Sequence, residues 1–374
     1  MDRDVTSSLS PTSVSRNPDL RLPATCDPPS EHNPPQQAVW IVFGATGHMG
    51  RSLVRAALSH GDKVTAVGWT QENTMEQMTK LHDPSGYLGL LCDVRIKETV
   101  DQIMKESIDR WGHVDIIAKY MSFELFLLLK CTYKRDYSCT GYGVIAACED
   151  QDDHDVRAQF ETNFFGTMHI LSCSLPYFRS RSHGRYLIFS STSGALGVPG
   201  LGPYCATKYA VEGLIESMQY EVEVFNIKAT LVEPGHVRLD EPDSKEQGLK
   251  KYGHFWVKQG SSEPYGSAHA PAGHAKRMVQ WLNDRQPTSA VKSAELVWQL
   301  GHCAYPPLRL LLGAFAVDSI RDRLKSIIEE IEDWKHLSFP ASTDEQEPDP
   351  DRDQDQDQDP EHDTAGEEQE GEGE

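Results

Sequence analysis

Residues 185–208 read RYLIFSSTSGALGVPGLGPYCATK, and this stretch decides the fold. Its apolar start, from Arg185 to Phe189, is typical of a buried parallel strand, and residues with hydroxyl groups follow it directly. The Gly and Pro residues in its second half predict a turn into a helix that begins near Tyr204. Because open α/β sheets bind ligands at the carboxyl ends of their strands, Ser191 and Tyr204 are expected to meet there.

Tyr204 and Lys208 stand four residues apart at the start of the predicted helix. This spacing puts a phenol and an amine on one face of the helix, one turn apart. An ammonium charge favours phenolate, so the sequence predicts a lowered pKa for Tyr204. Such a phenol can exchange the proton that accompanies hydride transfer at a carbonyl carbon. The pair alone is a weak signal, because a Tyr-x-x-x-Lys spacing also arises by chance.

A glycine-rich turn lies near the beginning of the predicted fold. Residues 38–43 form an apolar run typical of a buried strand, and helical periodicity follows the turn. Gly44, Gly47 and Gly50 permit a tight turn and a close approach of backbone to a pyrophosphate, which the next helix N-terminus favours. The residues assigned to this dinucleotide site are Gly44, Thr46, Gly47, Met49 and Gly50.

Together these motifs resemble those of the short-chain dehydrogenase/reductase family. Members carry a serine thirteen residues before the tyrosine of a Tyr-x-x-x-Lys motif, which is the separation of Ser191 from Tyr204. They also carry a helical asparagine about forty residues upstream of the tyrosine, which Asn163 matches, and a Pro-Gly loop similar to residues 232–237. The resemblance runs from about residue 38 to about residue 340, and its C-terminal part is similar to that of fungal members.

The resemblance implies an α/β fold with a single doubly wound, Rossmann-type parallel sheet and helices on both faces. It also implies an NAD(P)-dependent oxidoreductase that interconverts a carbonyl and an alcohol on a small molecule, with a role in fungal secondary metabolism. The residues that it assigns to catalysis are Asn163, Ser191, Tyr204 and Lys208. The residues that it assigns to cofactor binding, besides the glycine turn, are Asp93, Asn163, Tyr204, Lys208 and Val237.

In the mechanism that the resemblance implies, Tyr204 protonates the carbonyl oxygen and Ser191 hydrogen-bonds it. Lys208 lowers the pKa of the tyrosine and holds the cofactor ribose, while Asn163 supports a water for proton relay. Two other classes stay open, a catalytically impaired nucleotide-binding protein and a scaffold of the same fold. The complete set of four residues speaks against both classes, because neither of them needs it.

The choice between NAD and NADP depends on the end of the second predicted strand, residues 63–68. NAD enzymes place an acid there against the ribose hydroxyls, whereas NADP enzymes place a basic side chain nearby. Trp69 stands at this position and carries neither charge, and Arg51 could reach a 2′-phosphate. Since no acid would repel that phosphate, the sequence favours NADP and leaves NAD open.

One segment departs from the family pattern. Members run from the strand at residues 114–118 into an Asn-Asn-Ala-Gly motif, but here about twenty residues intervene, over about 119–138, and the family asparagine has no clear match. The family threonine after the Pro-Gly loop is replaced by Leu239. The insertion is too short to span a bilayer, which takes about 20 apolar residues. One interpretation of it is a retained intron.

The chain has 374 residues, 38% of them hydrophobic, and a net charge of −21. Residues 341–374 hold sixteen acids and one arginine, so most of the negative charge belongs to this tail, which is predicted to be disordered. Residues 1–36 lack apolar periodicity and are also predicted to be disordered, with no signal peptide. A Rossmann-fold domain is predicted over residues 37–340.

Charge and cysteine usage restrict the partners. The acidic balance argues against nucleic-acid binding, which requires a basic footprint. The eight cysteines form no Cys-x-x-Cys pair, which fits reduced thiols in the cytoplasm and no metal site. The predicted partner is a small carbonyl or alcohol rather than a membrane, and a homo-oligomer is left open. In the family, the stretch that corresponds to residues 241–290 covers the substrate, whose identity the sequence does not reveal.

Overall fold

A computed structural model describes residues 20–70, 73–120, 143–238, 255–258, 260–267, 269–282 and 288–338. The chain divides into two compact units, with the boundary between Arg323 and Leu324. Several predicted features lie outside the described residues: the first 19 residues, most of the insertion, Leu239 and the acidic tail.

The first unit is built around a parallel sheet of seven strands. The strands in chain order are β1 (Val39–Phe43), β2 (Lys63–Trp69), β3 (Tyr87–Cys92), β4 (Ile116–Lys119), β5 (Gly143–Ile145), β6 (Gly184–Phe189), β7 (Ile227–Pro234), β8 (Val237–Arg238), β9 (Phe255–Val257), β10 (Thr288–Ser289) and β11 (Arg309–Leu312). The sheet has the order β11-β7-β6-β4-β1-β2-β3, and all its neighbouring pairs are parallel. Two short parallel pairs, β5 with β9 and β8 with β10, are separate from it.

Helices connect the strands. They are α1 (His48–Ser59), α2 (Met75–Thr79), α3 (Lys97–Trp111), α4 (Asp153–Phe160), α5 (Gly166–Arg181), α6 (Gly202–Val222), α7 (His274–Leu282), α8 (Ala290–His302) and α9 (Ala314–Trp334). A π-helical turn, Glu161–Phe165, joins α4 to α5. The second unit holds the last turns of α9 and the 3-10 turn Lys335–Leu337. In the described parts of the chain, no helix is both long and apolar enough to cross a membrane.

Apolar clusters cover both faces of the sheet. Trp40 and Val42 of β1 pack into a cluster with α1 and α8, whereas Val39, Ile41 and Phe43 pack into a second cluster with α3, α5 and α6. Strand side chains alternate between faces, so a strand covered on both sides reads as a continuous apolar run. The prediction of a doubly wound, Rossmann-type α/β sheet is therefore confirmed.

Residues 20–36 differ from the predicted disorder. Leu22 and Cys26 are buried in the apolar cluster that contains α8. The Leu22 amide donates a hydrogen bond to Gln299 Oε1 at 3.1 Å, and the Tyr305 amide donates to the Cys26 carbonyl at 3.1 Å. This segment is thus held against the domain by two buried side chains and by hydrogen bonds to residues far away in the sequence. No local sequence pattern indicates such long-range contacts.

Candidate active site

The glycine turn joins β1 to α1 at the carboxyl edge of the sheet. Gly44 has a φ of 78°, a left-handed conformation that favours glycine. A Cβ on Gly50 would collide with the Gly44 carbonyl oxygen, so α1 can begin this close to the turn only with glycine there. Gly47 is the N-cap of α1, Thr46 is buried, and Arg51 Nε donates to the Thr46 carbonyl at 2.6 Å. The N-terminus of α1, a favourable place for phosphate, therefore lies directly against the turn.

Tyr120 lies against this N-terminus, and the sequence analysis missed it. Its hydroxyl accepts a hydrogen bond from the backbone amide of Met49, and His48 Nε2 is 3.4 Å from the same oxygen. The Tyr120 ring packs edge-to-face on Phe189, with centroids 5.1 Å apart. A phosphate that used the Met49 amide would therefore have to displace the Tyr120 hydroxyl. The available signal was an aromatic residue just after the strand at residues 114–118, where members of the family continue into their Asn-Asn-Ala-Gly motif.

The structure brings Ser191, Tyr204 and Lys208 together. Ser191 follows β6 and begins a 3-10 turn, while Tyr204 and Lys208 lie in the first two turns of α6. The Ser191 side chain is hydrogen-bonded to the Tyr204 phenol. Lys208 Nζ lies 5.7 Å from the centroid of the Tyr204 ring and donates to the Phe189 carbonyl at 3.1 Å. A hydroxyl, a phenol and an amine thus meet at the carboxyl end of β6.

The charges of this group differ from the expectation. Burial raises the pKa of Tyr204, and the hydrogen bond with Ser191 opposes that rise only in part. Burial also lowers the pKa of Lys208 to about 7, although Glu212 opposes the change. The prediction of a lowered phenol pKa is therefore wrong for this structure. That prediction assumed a permanent ammonium charge, which Lys208, with a pKa of about 7, keeps only in part at neutral pH.

Asn163 lies in the π-helical turn between α4 and α5 and is buried. Its Nδ2 donates to Thr207 Oγ1 at 2.9 Å, which links this turn to the residue that precedes Lys208. Its backbone carbonyl accepts a hydrogen bond from Lys119 Nζ at 2.9 Å. Short π-helical turns are frequent at functional sites.

Lys119 is a second buried amine that the sequence analysis missed, because it assigned this residue to the insertion. The structure makes it the last residue of β4. Besides Asn163, its Nζ contacts Thr167 Oγ1 at 2.5 Å and the Thr162 carbonyl at 3.4 Å. Burial and then repulsion by Lys208 lower the pKa of Lys119 well below its usual value. The signal that could have found it is a charged residue at the carboxyl end of an apolar strand.

The remaining residues predicted to bind the cofactor follow other strands. Asp93 comes directly after β3, and its carboxylate is paired with the Arg95 guanidinium, with Nη2 2.7 Å from Oδ2. Trp69 ends β2 and is buried. Val237 follows the Pro-Gly loop and begins β8. The carboxyl edge of the sheet therefore carries all these residues, together with the glycine turn.

A cavity of about 220 Å³ opens beside Ser191 and Tyr204. Its wall combines the hydroxyl residues 190–193 with the Pro-Gly loop and with apolar side chains from β9 and α7. The arrangement can hold a small molecule with one oxygen atom at the Ser191 and Tyr204 hydroxyls.

One cluster outside this site has metal-ligand chemistry. Among the described residues, Asp152, His154 and Asp155 bring ligand atoms within 4.8 Å of one another. The ammonium group of Lys258 pairs with both aspartates. These contacts account for the two aspartates as partners of one ammonium group.

The chain is similar to known proteins over most of its length. A family model described as short chain dehydrogenase matches residues 38–248. "Oxidoreductase BOA17" of Botryotinia fuckeliana is 28% identical over 307 residues, which cover 81% of this chain and 99% of that protein. "Oxidoreductase calM" of Penicillium decumbens is 26% identical over 312 residues, which cover 80% of this chain and 92% of that protein.

Solved structures of other proteins are also similar to this chain. A short-chain dehydrogenase from Streptomyces avermitilis is 26% identical, with a TM-score of 0.64, over 80% of this chain and 98% of that one. A short chain dehydrogenase/reductase from Burkholderia phymatum, solved in complex with NAD, is 18% identical, with a TM-score of 0.58, over 82% of this chain and 98% of that one, and supports the fold alone. Because the family model covers more than half of the chain, this protein belongs to the short-chain dehydrogenase/reductase family of oxidoreductases.

Proposed function

We propose that the protein is an NADP-preferring carbonyl reductase or alcohol dehydrogenase, an enzyme of the EC 1.1.1 type. The observation that carries the proposal is the hydrogen bond between Ser191 and Tyr204 at the cavity wall, with the Lys208 amine beside the phenol ring. A carbonyl oxygen at these two hydroxyls would meet both a hydrogen-bond donor and a proton donor.

The glycine turn fits a dinucleotide cofactor, because the residues at positions 44 and 50 let the backbone approach a pyrophosphate closely. The residues that would hold the cofactor are Gly44, Thr46, Gly47, Met49, Gly50, Asp93, Asn163, Tyr204, Lys208 and Val237. When bound, the nicotinamide supplies the hydride. NADP is preferred in this proposal because Arg51 lies beside the turn and Trp69 ends β2 without a negative charge.

In the reductive direction, the carbonyl carbon gains the hydride and Tyr204 Oη gives its proton to the carbonyl oxygen, which becomes the alcohol. The raised pKa of Tyr204 keeps the phenol protonated and able to donate. Ser191 orients the oxygen by a hydrogen bond. Lys208, whose pKa of about 7 gives it both protonation states near neutral pH, can return a proton to the phenolate. The hydrogen bond from Asn163 to Thr207 fixes the position of α6 relative to the π-helical turn.

Titration with NADPH and NADH, followed by nicotinamide fluorescence, tests the cofactor site. We expect both to bind, with NADPH the tighter, and we expect turnover with a panel of ketones and aldehydes. Tyr204→Phe should keep cofactor binding and lose about 10² to 10⁴ in turnover. Binding by the wild type without any turnover would favour the catalytically impaired class, and absence of binding would favour the scaffold.

A cytoplasmic location and a role in fungal secondary metabolism are further parts of the proposal. The six described cysteines are free thiols, which supports a reducing compartment. The two relatives named above, both fungal oxidoreductases, support the fungal context.

A further inference from the structure

We propose that the substrate is an uncharged, largely apolar ketone or the corresponding secondary alcohol, an inference that rests on the proposed carbonyl chemistry. No Lys, Arg, Asp or Glu is found among the described residues that line the cavity beside Tyr204. A substrate with a carboxylate, phosphate or ammonium group would therefore meet no Lys, Arg, Asp or Glu side chain of opposite charge among the described residues of the wall. Burying such a group without a partner is strongly unfavourable.

Several hydroxyl groups of the cavity lie together at the end that holds Tyr204. Ser191 and Tyr204 are hydrogen-bonded to each other there. The neighbouring Ser190 hydroxyl is committed elsewhere, because it donates to Glu212 Oε1 at 2.6 Å. The Ser193 amide donates to Ser191 Oγ at 3.3 Å, which orients the Ser191 hydroxyl. This end is therefore suited to one substrate oxygen.

Much of the rest of the wall is apolar, and a loop, a strand and a helix supply four of its apolar side chains. Leu196 and Val198 belong to the loop after β6, Phe255 belongs to β9, and Met278 belongs to α7. The Phe255 ring packs edge-to-face on the Tyr204 ring, with centroids 5.2 Å apart and an interplanar angle of 79°. A substituent on a carbonyl carbon held at Tyr204 would extend over Phe255 and these aliphatic side chains.

Three histidines also line the cavity, and they do not change this conclusion. Burial lowers the pKa of His236, so this imidazole is neutral at neutral pH, and its ring packs on Phe315 with centroids 4.7 Å apart. His48 contacts the Tyr120 hydroxyl near the glycine turn. His274 is exposed to water at the start of α7.

Paired ketones test the inference. 4-Acetylbenzoate and its methyl ester carry the same aryl ketone and differ in charge. We expect kcat/KM for the ester to exceed that for the carboxylate by at least about 100-fold. Met278→Arg should reduce this ratio by about 10-fold or more, because the guanidinium offers the carboxylate a charged partner. Met278→Leu, which is similar in size and uncharged, should keep the ratio.

Binding to a variant that cannot turn over separates this inference from the proposed function. Tyr204→Phe loaded with NADPH should bind the ester more tightly than the carboxylate, measured by the change in nicotinamide fluorescence. Tighter ester binding without wild-type turnover would support the apolar site and refute carbonyl reduction. Equal or better use of the carboxylate, or binding of neither compound, would overturn the apolar substrate class.

Discussion

The two edges of the central sheet both bury ionisable side chains, but they do so differently. At the amino edge, Asp62 precedes β2 and accepts hydrogen bonds from the Ala38 amide at 2.8 Å and from the indoles of Trp40 and Trp298 at 2.9 Å each. His302 Nε2 lies 2.8 Å from the same carboxylate. Burial by itself would raise the pKa of Asp62, but the contact with His302 and the other hydrogen bonds hold it below its usual value.

At the carboxyl edge, two buried amines donate hydrogen bonds to carbonyl or hydroxyl oxygens. Lys119 contacts two carbonyls and a hydroxyl, and Lys208 donates to the Phe189 carbonyl. Burial lowers the pKa of both lysines. One edge therefore holds an ionised acid with its donors in place, and the other holds amines whose pKa values burial lowers.

This difference separates structural from chemical uses of buried polar groups. The Asp62 cluster ties β1 and β2 to α8 and is expected to stabilise the fold. The amines at the carboxyl edge are expected to reduce stability when they are protonated, but Lys208, with a pKa of about 7, changes protonation state in the range that proton transfer requires. Four substitutions test this comparison.

Lys208→Met should have the largest effect on activity. We expect turnover to fall by about 10² to 10⁴ because proton return to Tyr204 is lost. The free energy of unfolding at pH 7 should change by less than about 1 kcal/mol, since a partly charged buried amine is replaced by an apolar chain of similar length. Ketone reduction assays and urea denaturation measure the two effects. Lys105→Met, at an exposed position of α3, is the matched control and should change neither.

Asp62→Ala should have the largest effect on stability. Two indole N–H groups and His302 would lose their acceptor inside the fold, and we expect a loss of about 3 to 5 kcal/mol in urea denaturation. Glu76→Ala is the control, because Glu76 pairs with Lys80 on the surface and should cost less than about 1 kcal/mol. A similar small cost for both variants would break the distinction between the two edges.

Lys119→Met should change the pH dependence of stability. The pKa of Lys119 is well below its usual 10.5, so the unfolded chain binds more protons than the folded protein between these two values. The free energy of unfolding should therefore rise with pH between the lowered pKa of Lys119 and about 10.5, by up to about 1.4 kcal/mol per unit for each such lysine. Thermal unfolding between pH 7 and about 9.5 should show a smaller slope in the variant. The same slope in both proteins would argue against a buried, neutral amine.

Tyr120→Phe should have the smallest effect. Removal of the hydroxyl frees the Met49 amide for a phosphate, and we expect NADPH to bind a few-fold more tightly, or about 0.5 to 1.5 kcal/mol. Tyr177→Phe is a matched control, because the Tyr177 hydroxyl also accepts a backbone amide, that of Val114 at 3.1 Å, away from the site. Weaker NADPH binding by Tyr120→Phe would mean that the hydroxyl contacts the cofactor itself.

Local patterns were sufficient for the parts of the site that lie close together in the sequence. The glycine turn follows its strand directly, and one loop and the start of one helix connect Ser191 to Lys208. Lys119 and Asn163 are different, because they are 44 residues apart and meet only when β4 packs beside the π-helical turn. The sequence around a lysine at the end of an apolar strand does not indicate which distant groups accept its hydrogen bonds.

The sequence by itself determined the apolar strands that a sheet covered on both faces requires, and its family motifs implied the doubly wound sheet with Ser191 and Tyr204 at the carboxyl edge. Only the tertiary structure decided the charges at this edge. A pKa depends on exclusion of water and on neighbours contributed by distant segments, and these made Tyr204 harder to ionise and Lys208 easier to neutralise than spacing alone predicts. The tertiary structure also placed the Tyr120 hydroxyl at the N-terminus of α1, because that contact depends on how β4 and α1 pack against each other.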